Sequence, residues 1–371
     1  MSGYRVSSSR VESPDEIEQE WCTLQSHAEC SYFQSWGWIS VWLKEVVAEY
    51  QPQVVRVWNG NDLVGLGIFV RRNLRRRLLV TSRALYLNEY PFDGRDMTIE
   101  YNGVLADQQH LQAVYAEMIC HLLGSDPAID EVIFGGVDAS TVSLSGLDCP
   151  GCQQQKFTWQ VLEQSCTWAV SLGSIGSGIE AYLNTLSKNR RAQIRRSFRL
   201  YEASGSLQLE QAETPGRALE FFSGLKELHA LRWQKQGRPG AFANPVRERF
   251  YRKLIESGFA AGEIQLLKVC CDQTVIGYLY NLVWRNHVYV LQTGFVLEAE
   301  KGLMPGYVAH AMAIDHNRAA GMVSYDLMHG DEQYKKIMCK PYRELNWTAL
   351  QRPRLRFGLE NLLLAVKRRF I

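Results

Sequence analysis

Groups that can move protons or stabilise charge are concentrated in the second half of this 371-residue chain. The run VYVLQTGF contains Gln292, and the segment YDLMHGDEQYKK contains Asp326, Tyr334 and Lys335. A carboxylate can take a proton from a reacting group, and a lysine or a backbone N–H can stabilise a developing oxyanion. No Ser-His-Asp or Cys-His order with a nucleophile elbow accompanies them. The sequence therefore favours direct transfer between two bound substrates over a covalent enzyme intermediate.

The hydrophobic pattern indicates which elements would position these residues. Three β-rich runs are followed by a short loop, a helix and a further strand: Ile264–Cys270, Val275–Trp284, Val288–Phe295, Pro305 to about Ala320, and Val323–Met328. A strand that ends in a loop before a helix N-terminus makes an anion site, because free backbone N–H groups and the helix dipole point there. We therefore expect the loop and the first helical turn to bind an anionic part of a cofactor, through Lys301, Gly302, Met304 and Gly306.

The order of these elements is also the order of the core of GNAT-type acyltransferases. The run YNLVWRNHVYVLQTGF, the LMPG that opens the helix and the closing YDLMHGDEQYK resemble the FemAB-like and cellulose-biosynthesis (CelD-type) group of that superfamily. The resemblance covers roughly Ser165 to Trp347, with weaker similarity in FQSWGWISVWL. It implies a mixed α/β fold with tandem GNAT-like domains in a FemAB-like arrangement. We place the first domain at 1–160 and the acyltransferase domain at 161–371, ending in an amphipathic helix at Phe357–Ile371.

The same resemblance implies roles for the candidate catalytic residues. Gln292 lies on the strand where a GNAT presents backbone groups to a thioester. Tyr334 and Lys335 match the aromatic–Lys pair of the FemAB-like group, so Lys335 would stabilise developing negative charge. The simpler interpretation of Lys335 is a surface lysine beside Lys336. Asp326 would face the cleft from the following strand.

The loop before the helix departs from the family pattern. Classical GNATs carry a Q/R-x-x-G-x-G/A run whose glycines let backbone amides wrap a pyrophosphate. Here the corresponding loop is Glu300–Gly306, in which Pro305 removes one amide donor. The sequence therefore leaves three acyl donors as alternatives: acyl-CoA, the thioester of an acyl-carrier protein and an aminoacyl-tRNA.

A basic stripe lies on the predicted helix Ile179–Leu200. Arg191, Arg195 and Arg199 recur every four residues and so share one face, away from the apolar face that includes Ile194. A positive stripe near the donor loop would contact a phosphorylated carrier, and we take Arg191 and Arg195 as cofactor-binding candidates. The alternative is a solvated helix whose arginines pair with acidic residues.

A second helical pattern, Thr214–Gln236, contains a histidine and a tryptophan. His229 and Trp233 belong to an LH-x-x-RW pattern that is part of the same resemblance and precedes a Gly/Pro-rich loop. His229 is a candidate catalytic residue and Trp233 a candidate for substrate binding, although a lone helical histidine is more often structural. The closing segment adds Asp331 and Glu332, which would act as the base for the amine or only begin a helix.

The first half of the chain contributes alternating polar residues at Met97–Gly103. The alternation predicts a strand with one polar face. That face would point into a cleft, or it would belong to an edge strand that faces water. We take Asp96, Glu100 and Asn102 as candidates for substrate binding.

Composition sets the broad class. The 46% hydrophobic and 22% charged content is that of an ordinary globular protein, and 41 Lys+Arg against 39 Asp+Glu give no whole-molecule argument for nucleic acid. Nine cysteines without a framework fit a reducing compartment, and the lone C-x-x-C at 149–152 is typical of a turn. The sequence contains no signal-peptide pattern and no 18-residue apolar stretch, so we predict a cytoplasmic protein without a metal or a tightly bound cofactor.

These features predict an N-acyltransferase that moves an acyl group from a thioester donor to an amine. The donor would be acyl-CoA or an acyl-carrier protein, used as a co-substrate. The amine would belong to a small metabolite or to an envelope or polysaccharide precursor. A FemAB-type transferase that depends on aminoacyl-tRNA is the alternative within the enzyme class. A non-catalytic GNAT-like module that binds a partner is the alternative from another class.

Overall fold

The computed structural model describes residues 3–75, 81–89, 99–147, 156–297, 302–358 and 360. Asp96, Lys301, the C-x-x-C motif and most of the predicted C-terminal helix lie outside the described residues. The chain divides into two compact units: Met1–Ser165 together with Glu344–Ile371, and Cys166–Arg343. The division near residue 165 is close to the predicted boundary. The segment after Arg343 differs from the prediction, because it belongs to the first unit.

Within its described residues the first unit contains three complete α-helices, a helical segment at 355–358 and a mixed sheet. The helices are α1 (Glu18–His27), α2 (Trp36–Tyr50) and α3 (Leu111–Ser125). The strands are β1 (Tyr4–Arg10), β2 (Gln53–Asn59), β3 (Asp62–Arg75), β4 (Thr81–Leu87), β5 (Leu105–Ala106) and β6 (Glu131–Asp138). They lie in the order β1-β2-β3-β4-β6, with β5 beside β3, and only β4 and β6 run parallel.

The last described strand explains why the end of the chain belongs to the first unit. Strand β13 (Lys340–Gln351) pairs antiparallel with β6, from Leu345 opposite Asp138 to Gln351 opposite Glu131. This pairing joins the C-terminal segment to the sheet of the first unit. A prediction made from sequence order alone assigns the segment to the domain that precedes it.

Apolar side chains of the first sheet pack against α3. Val114, Met118 and Leu122 recur every four residues on one face of that helix and are buried with the sheet residues. A Cβ placed on Gly65 of β3 would lie 2.4 Å from Cγ1 of Val114. Glycine at this position therefore allows the helix to approach the sheet closely.

The second unit surrounds its own mixed sheet. Its helices are α4 (Ile179–Leu183), α5 (Lys188–Ser204), α6 (Pro215–Lys235), α7 (Pro245–Gly258), α8 (Pro305–Ala319) and α9 (Gln333–Met338). Its strands are the second half of β7 (Thr158–Ser171), β8 (Leu207–Gln211), β9 (Ile264–Cys271), β10 (Thr274–Trp284), β11 (His287–Phe295) and β12 (Ser324–His329). The order is β7-β12-β11-β10-β9-β8, in which β11 and β12 run parallel and the other pairs antiparallel.

The central predictions of secondary structure are confirmed. The three β-rich runs are β9, β10 and β11, and α8 begins at Pro305 as predicted. The single helix expected over Ile179–Leu200 is instead two helices, α4 and α5. Between them the Thr185 hydroxyl donates to the Tyr182 carbonyl at 2.8 Å, and Ser187 has a non-helical backbone with φ of −58° and ψ of 148°. Serine and threonine side chains compete with helical hydrogen bonds in this way and favour turns.

The strand predicted at Met97–Gly103 is absent from the described part of that range, 99–103. Only Asn102 makes an isolated bridge, with Val137. The Asn102 amide donates to the Leu87 carbonyl at 2.9 Å and accepts from the Gly103 N–H at 2.8 Å. Tyr101 has a left-handed backbone with φ of 51°. Local side-chain bonds and this backbone conformation replace the regular ladder that alternation predicted.

Candidate active site

Strands β11 and β12 separate after a short parallel contact. They pair at three positions, His287 with Ser324, Val288 with Tyr325 and Tyr289 with Asp326. Strand β11 continues to Phe295, and within the described residues its segment 290–295 has no pairing with β12. Among the described residues, the edge of β11 that faces β12 is therefore free of strand pairing, and in this sense open, over this segment. Such an edge can hydrogen-bond an extended ligand.

A β-bulge lies in the same segment of β11. Tyr280 of β10 pairs with Gln292 and Asn281 pairs with Val290, so Leu291 is an extra residue. Val288 and Val290 before the bulge and Phe295 after it all join the core cluster packed on α8. The bulge therefore shifts the alternation of side chains by one residue. It also takes a backbone amide out of the regular ladder, which suits contact with a carbonyl oxygen.

Helix α8 begins close to this open edge. The Met304 N–H donates to the Ser197 hydroxyl of α5 at 2.9 Å, which fixes the loop before the helix. A Cβ placed on Gly306 would lie 3.1 Å from Cδ2 of Phe295. Gly306 thus allows the first turn of α8 to approach β11. Gly302 has φ of 110°, a conformation that favours glycine.

The arginines of α5 contact two different neighbours. Arg195 forms an ion pair with Glu180 of α4, and Arg191 donates to Asn184 at 3.2 Å. The hydrogen bond from Arg195 holds the pKa of the Glu180 carboxyl below its usual value. Arg196 instead lies against the loop before α8, since a Cβ placed on Gly302 would be 3.3 Å from its Nε. Arg196 is exposed and has no ion pair or hydrogen bond among the described residues.

Lys335 is buried near the end of β12. The residue is only 6% exposed, its Nζ donates to the His329 carbonyl, and it lies 3.4 Å from the Glu332 carboxylate. Lys336 is exposed and pairs with Asp331 at 3.0 Å. The two adjacent lysines therefore differ in environment, and only Lys335 places its ammonium group inside the unit.

Aromatic rings surround His310 beside this lysine. The His310 ring stacks on Tyr334 with centroids 6.0 Å apart, and it meets Phe295 and Tyr325 edge to face. Its Nδ1 lies 3.0 Å from the Tyr325 hydroxyl. Burial lowers the pKa of His310 to about 3, and the charge of Lys335 adds to this effect. The imidazole is therefore neutral at physiological pH.

The second unit also matches a known protein family. The family model of the Acetyltransferase (GNAT) domain matches residues 188–336, from the first residue of α5 to the residue after Lys335. Residues 188–336 are a GNAT domain. This match supports a transferase.

Solved structures extend the similarity to both units. FemX superposes with a TM-score of 0.56 at 10% identity, covering 92% of this chain and 96% of FemX. L-PGS from Bacillus licheniformis gives 0.55 at 11% identity, covering 96% and 97% of the two chains. The C-terminal domain of a putative lysylphosphatidylglycerol synthetase from Agrobacterium fabrum gives 0.53 at 12% identity, covering 95% and 96%. These similarities show a shared mixed α/β, FemAB-like fold. No curated protein sequence matches.

Within the GNAT domain, Asp326 is buried rather than facing a cleft. It has no exposed surface, and its Oδ1 accepts the Met328 N–H at 2.6 Å. Strand β12 has an irregular register between Asp326 and His329, and Met328 has φ of 65°. Burial raises the pKa of the Cys339 thiol, and the Asp326 carboxylate raises it further. The carboxylate therefore stabilises the end of β12.

His229 of the GNAT domain uses both of its ring nitrogens. Its Nδ1 lies 3.3 Å from the Thr293 carbonyl of β11, and its Nε2 accepts the Ala241 N–H at 3.2 Å. Burial lowers its pKa, so the ring is neutral, with the proton on Nδ1. His229 thus ties α6 and the following loop to β11, close to Gln292. Trp233 packs beside it, with ring centroids 5.8 Å apart.

The remaining predicted residues lie in the first unit or outside the described residues. Asn102 is buried and its amide is engaged locally, as described above. Glu100 is buried as well. Asp96 and Lys301 are not among the described residues. Within the described part of the chain there is no group of His, Cys, Asp and Glu side chains that could hold a metal, and no helix there has the length and hydropathy to cross a bilayer.

Sequence reasoning missed His310 and Arg196. His310 lies in the apolar run VAHAMAI, where a single polar residue on a buried helical face was the available signal. Arg196 was passed over because the four-residue spacing selected its neighbours. Adjacent helical residues are about 100° apart around the axis, so Arg195 and Arg196 face different partners.

Proposed function

We propose that the protein is an N-acyltransferase that moves an acyl group from a thioester donor, acyl-CoA or an acyl-carrier protein, to an amine in a ternary complex. The observation that carries this proposal is the open edge of β11 with its bulge at Leu291. The donor arm of both thioesters contains secondary amides, which can pair with an open strand edge. The acyl carbonyl then lies against the bulged backbone.

The buried ammonium of Lys335 supplies the positive charge that this reaction needs. When the amine attacks, the carbonyl oxygen becomes negative, and a preorganised cation in a site shielded from water stabilises it. The Lys335 ammonium is held by the His329 carbonyl and by Glu332. Glu332 is itself largely exposed, so its carboxylate can take the proton of the attacking amine from the solvent side.

Arg196 and the first turn of α8 are the groups we propose for the anionic part of the donor. Both the helix dipole and the exposed guanidinium attract phosphate. Met304 and Gly302 lie in the same loop. Pro305 at the first helical position leaves fewer amides than a classical GNAT loop. The arginine compensates for part of that loss. Trp233 stays our candidate for binding the amine.

A transferase that uses aminoacyl-tRNA is the second candidate function. The observation in its favour is the density of cations on α5, where Lys188, Arg190, Arg196 and Arg199 have no ion pair among the described residues. Binding of tRNA through such cations predicts an affinity that falls steeply with salt.

The experiment that tests the proposal is a transfer assay with the purified chain. Acetyl-CoA, a long-chain acyl-CoA and an acylated carrier protein are each incubated with a panel of amines, and acylated products are detected by mass spectrometry. Thermal unfolding with each donor is followed in parallel, because a ligand of the native state raises the melting temperature. Product from a thioester is the expected result. Product from aminoacyl-tRNA alone would contradict the proposal and favour the second candidate.

A further inference from the structure

His310 is a buried residue of α8 that has no part in the reaction proposed above. Three aromatic rings from three different elements contact it: Phe295 of β11, Tyr325 of β12 and Tyr334 of α9. The residue is 1% exposed, and its Nε2 has no hydrogen-bond partner among the described residues. Such an orphan polar atom is unfavourable and calls for an explanation.

The hydrogen bond on the other nitrogen determines which proton the ring carries. Among the described residues the Tyr325 hydroxyl has one partner, His310 Nδ1 at 3.0 Å. Burial raises the pKa of Tyr325, so the phenol keeps its proton. If Nδ1 carried the ring proton, both the phenol proton and Nε2 would lack a partner. If the phenol donates to Nδ1, only the Nε2–H remains unpaired, and this arrangement is the more favourable.

The free Nε2–H therefore needs an acceptor that a ligand brings. The charge of Lys335 lowers the pKa of His310, and Tyr334, the residue before Lys335, stacks on the His310 ring, so a neutral donor and a cation lie near each other. An oxygen that is neutral in the ground state and becomes negative in the transition state fits this pair. Tyr334 is half-buried and is the most exposed of the three rings, so a ligand reaches His310 past Tyr334.

We propose that the Nε2–H of His310 donates a hydrogen bond to the carbonyl oxygen of the donor's acyl group. This inference rests on the proposed thioester chemistry. The amine nitrogen bonds to the carbonyl carbon, and the π electrons move to the oxygen, which His310 and Lys335 stabilise. The oxyanion then collapses and the C–S bond breaks. The thiolate leaves and takes up a proton equivalent to the one that the amine loses. His310 keeps its own proton throughout.

Two substitutions separate the donor role of His310 from its packing role. In His310→Gln the side-chain amide reaches the position of Nε2 and retains a donor there. In His310→Asn the shorter amide lies near the position of Nδ1, so the bond to Tyr325 is kept and the Nε2 donor is lost. We expect kcat to fall about 100-fold in His310→Asn with KM nearly unchanged, and about fivefold or less in His310→Gln.

A measurement on the free protein tests the proton position without any substrate. Nitrogen-15 NMR of the histidine-labelled chain, with His310→Gln to assign the signal, should show His310 neutral with its proton on Nε2. Adding the thioester that the wild type uses should shift that signal. A proton on Nδ1 in the free protein overturns the inference.

The kinetic outcomes distinguish this inference from the proposed function. If the wild type acylates no amine from any of the three thioesters, the proposed function fails and the inference fails with it. If the wild type is active and His310→Asn loses no more kcat than His310→Gln, the proposed function stands and the inference is wrong. Equal losses of melting temperature in the two variants, without a difference in kcat, would assign His310 a packing role only.

Discussion

The two faces of the sheet at β11 each place one buried histidine beside the same strand, and the two histidines differ in one respect. His229 on α6 uses both ring nitrogens, on the Thr293 carbonyl and the Ala241 N–H. His310 on α8 uses one, on Tyr325, and its other nitrogen has no partner in the part of the chain that the structure describes. Both rings are neutral because burial lowers their pKa values. The difference agrees with our proposal that the α8 face takes part in the chemistry, whereas the α6 face holds the strand in place.

The largest effect should come from the cation on the α8 face. We expect Lys335→Met to lower kcat by about 100- to 1000-fold, because it removes a buried charge that stabilises the oxyanion. Steady-state kinetics with the preferred thioester measures this. The matched control is Lys336→Met, which alters an exposed residue paired with Asp331 and should leave kcat within about twofold.

If both lysine variants lost turnover equally, the special role of the buried Lys335 would be contradicted. The effect would then come from the charge of the whole segment rather than from the buried position. Melting curves of both variants show whether the folded fraction is the same. Turnover is then expressed per folded molecule.

On the opposite face, His229→Ala should act on stability. Removal of two hydrogen bonds and a packed ring should lower the free energy of unfolding by about 2–4 kcal/mol, while kcat of the folded enzyme changes by less than about threefold. Denaturant unfolding measures the first quantity. His316→Ala is the control, since its Nε2 bonds Gln211 at the surface and its loss should cost about 1 kcal/mol or less. A large loss of turnover with unchanged stability would contradict this role of His229.

The pH dependence of stability should carry a contribution from His310. Its pKa is about 3 in the folded protein and about 6.5 in the unfolded chain, so the unfolded chain binds the proton first as pH falls. Stability from this group is complete above about pH 6.5 and falls by at most about 1.4 kcal/mol per pH unit below that. The groups that face His310 are Lys335, Tyr325 and Tyr334.

Unfolding of the wild type and of His310→Gln at pH 7 and pH 4.5 measures that contribution. The variant should lose less stability between the two pH values, because glutamine does not titrate. Identical losses would show that other histidines with a lowered pKa, such as His329, dominate the acid sensitivity.

The smallest effect should distinguish two neighbouring arginines of α5. Arg196→Ala should raise KM for the donor by about three- to tenfold and weaken the salt dependence of KM, because it removes a phosphate contact. Arg195→Ala breaks the ion pair with Glu180 and should leave KM unchanged. If Arg195→Ala raised KM and Arg196→Ala did not, the result would favour the cofactor-binding stripe predicted from the four-residue spacing.

Local signals in the sequence predicted the elements that form the site. Residues 264–295 contain the β-branched and aromatic runs of β9 to β11, and Pro305 marks the start of α8, because proline suits a first helical turn. Tyr334 and Lys335 could be identified because their order matches a known group. Each of these signals depends on residues that are adjacent or nearly adjacent in the chain.

The parts that could not be predicted depend on contacts between distant residues. Asp326 closes an irregular turn of β12, and Arg195 pairs with a helix that begins after an unpredicted break. The environment of His310 is made by β11, β12 and α9, none of which is close to it in sequence. Alternation and helical spacing give the face on which a residue lies. They do not give its partner.

The return of β13 to the first unit has a consequence for how the chain folds during synthesis. Gln351 bonds Glu131 across 220 residues of sequence, so the sheet of the first unit cannot be completed until nearly the whole chain has been made. The second unit is an insertion in the first, and its ends meet, since the Arg343 N–H donates to the Thr167 hydroxyl at 3.1 Å. The second unit can therefore complete its own contacts first. Strand β13 then pairs with β6, which was synthesised much earlier.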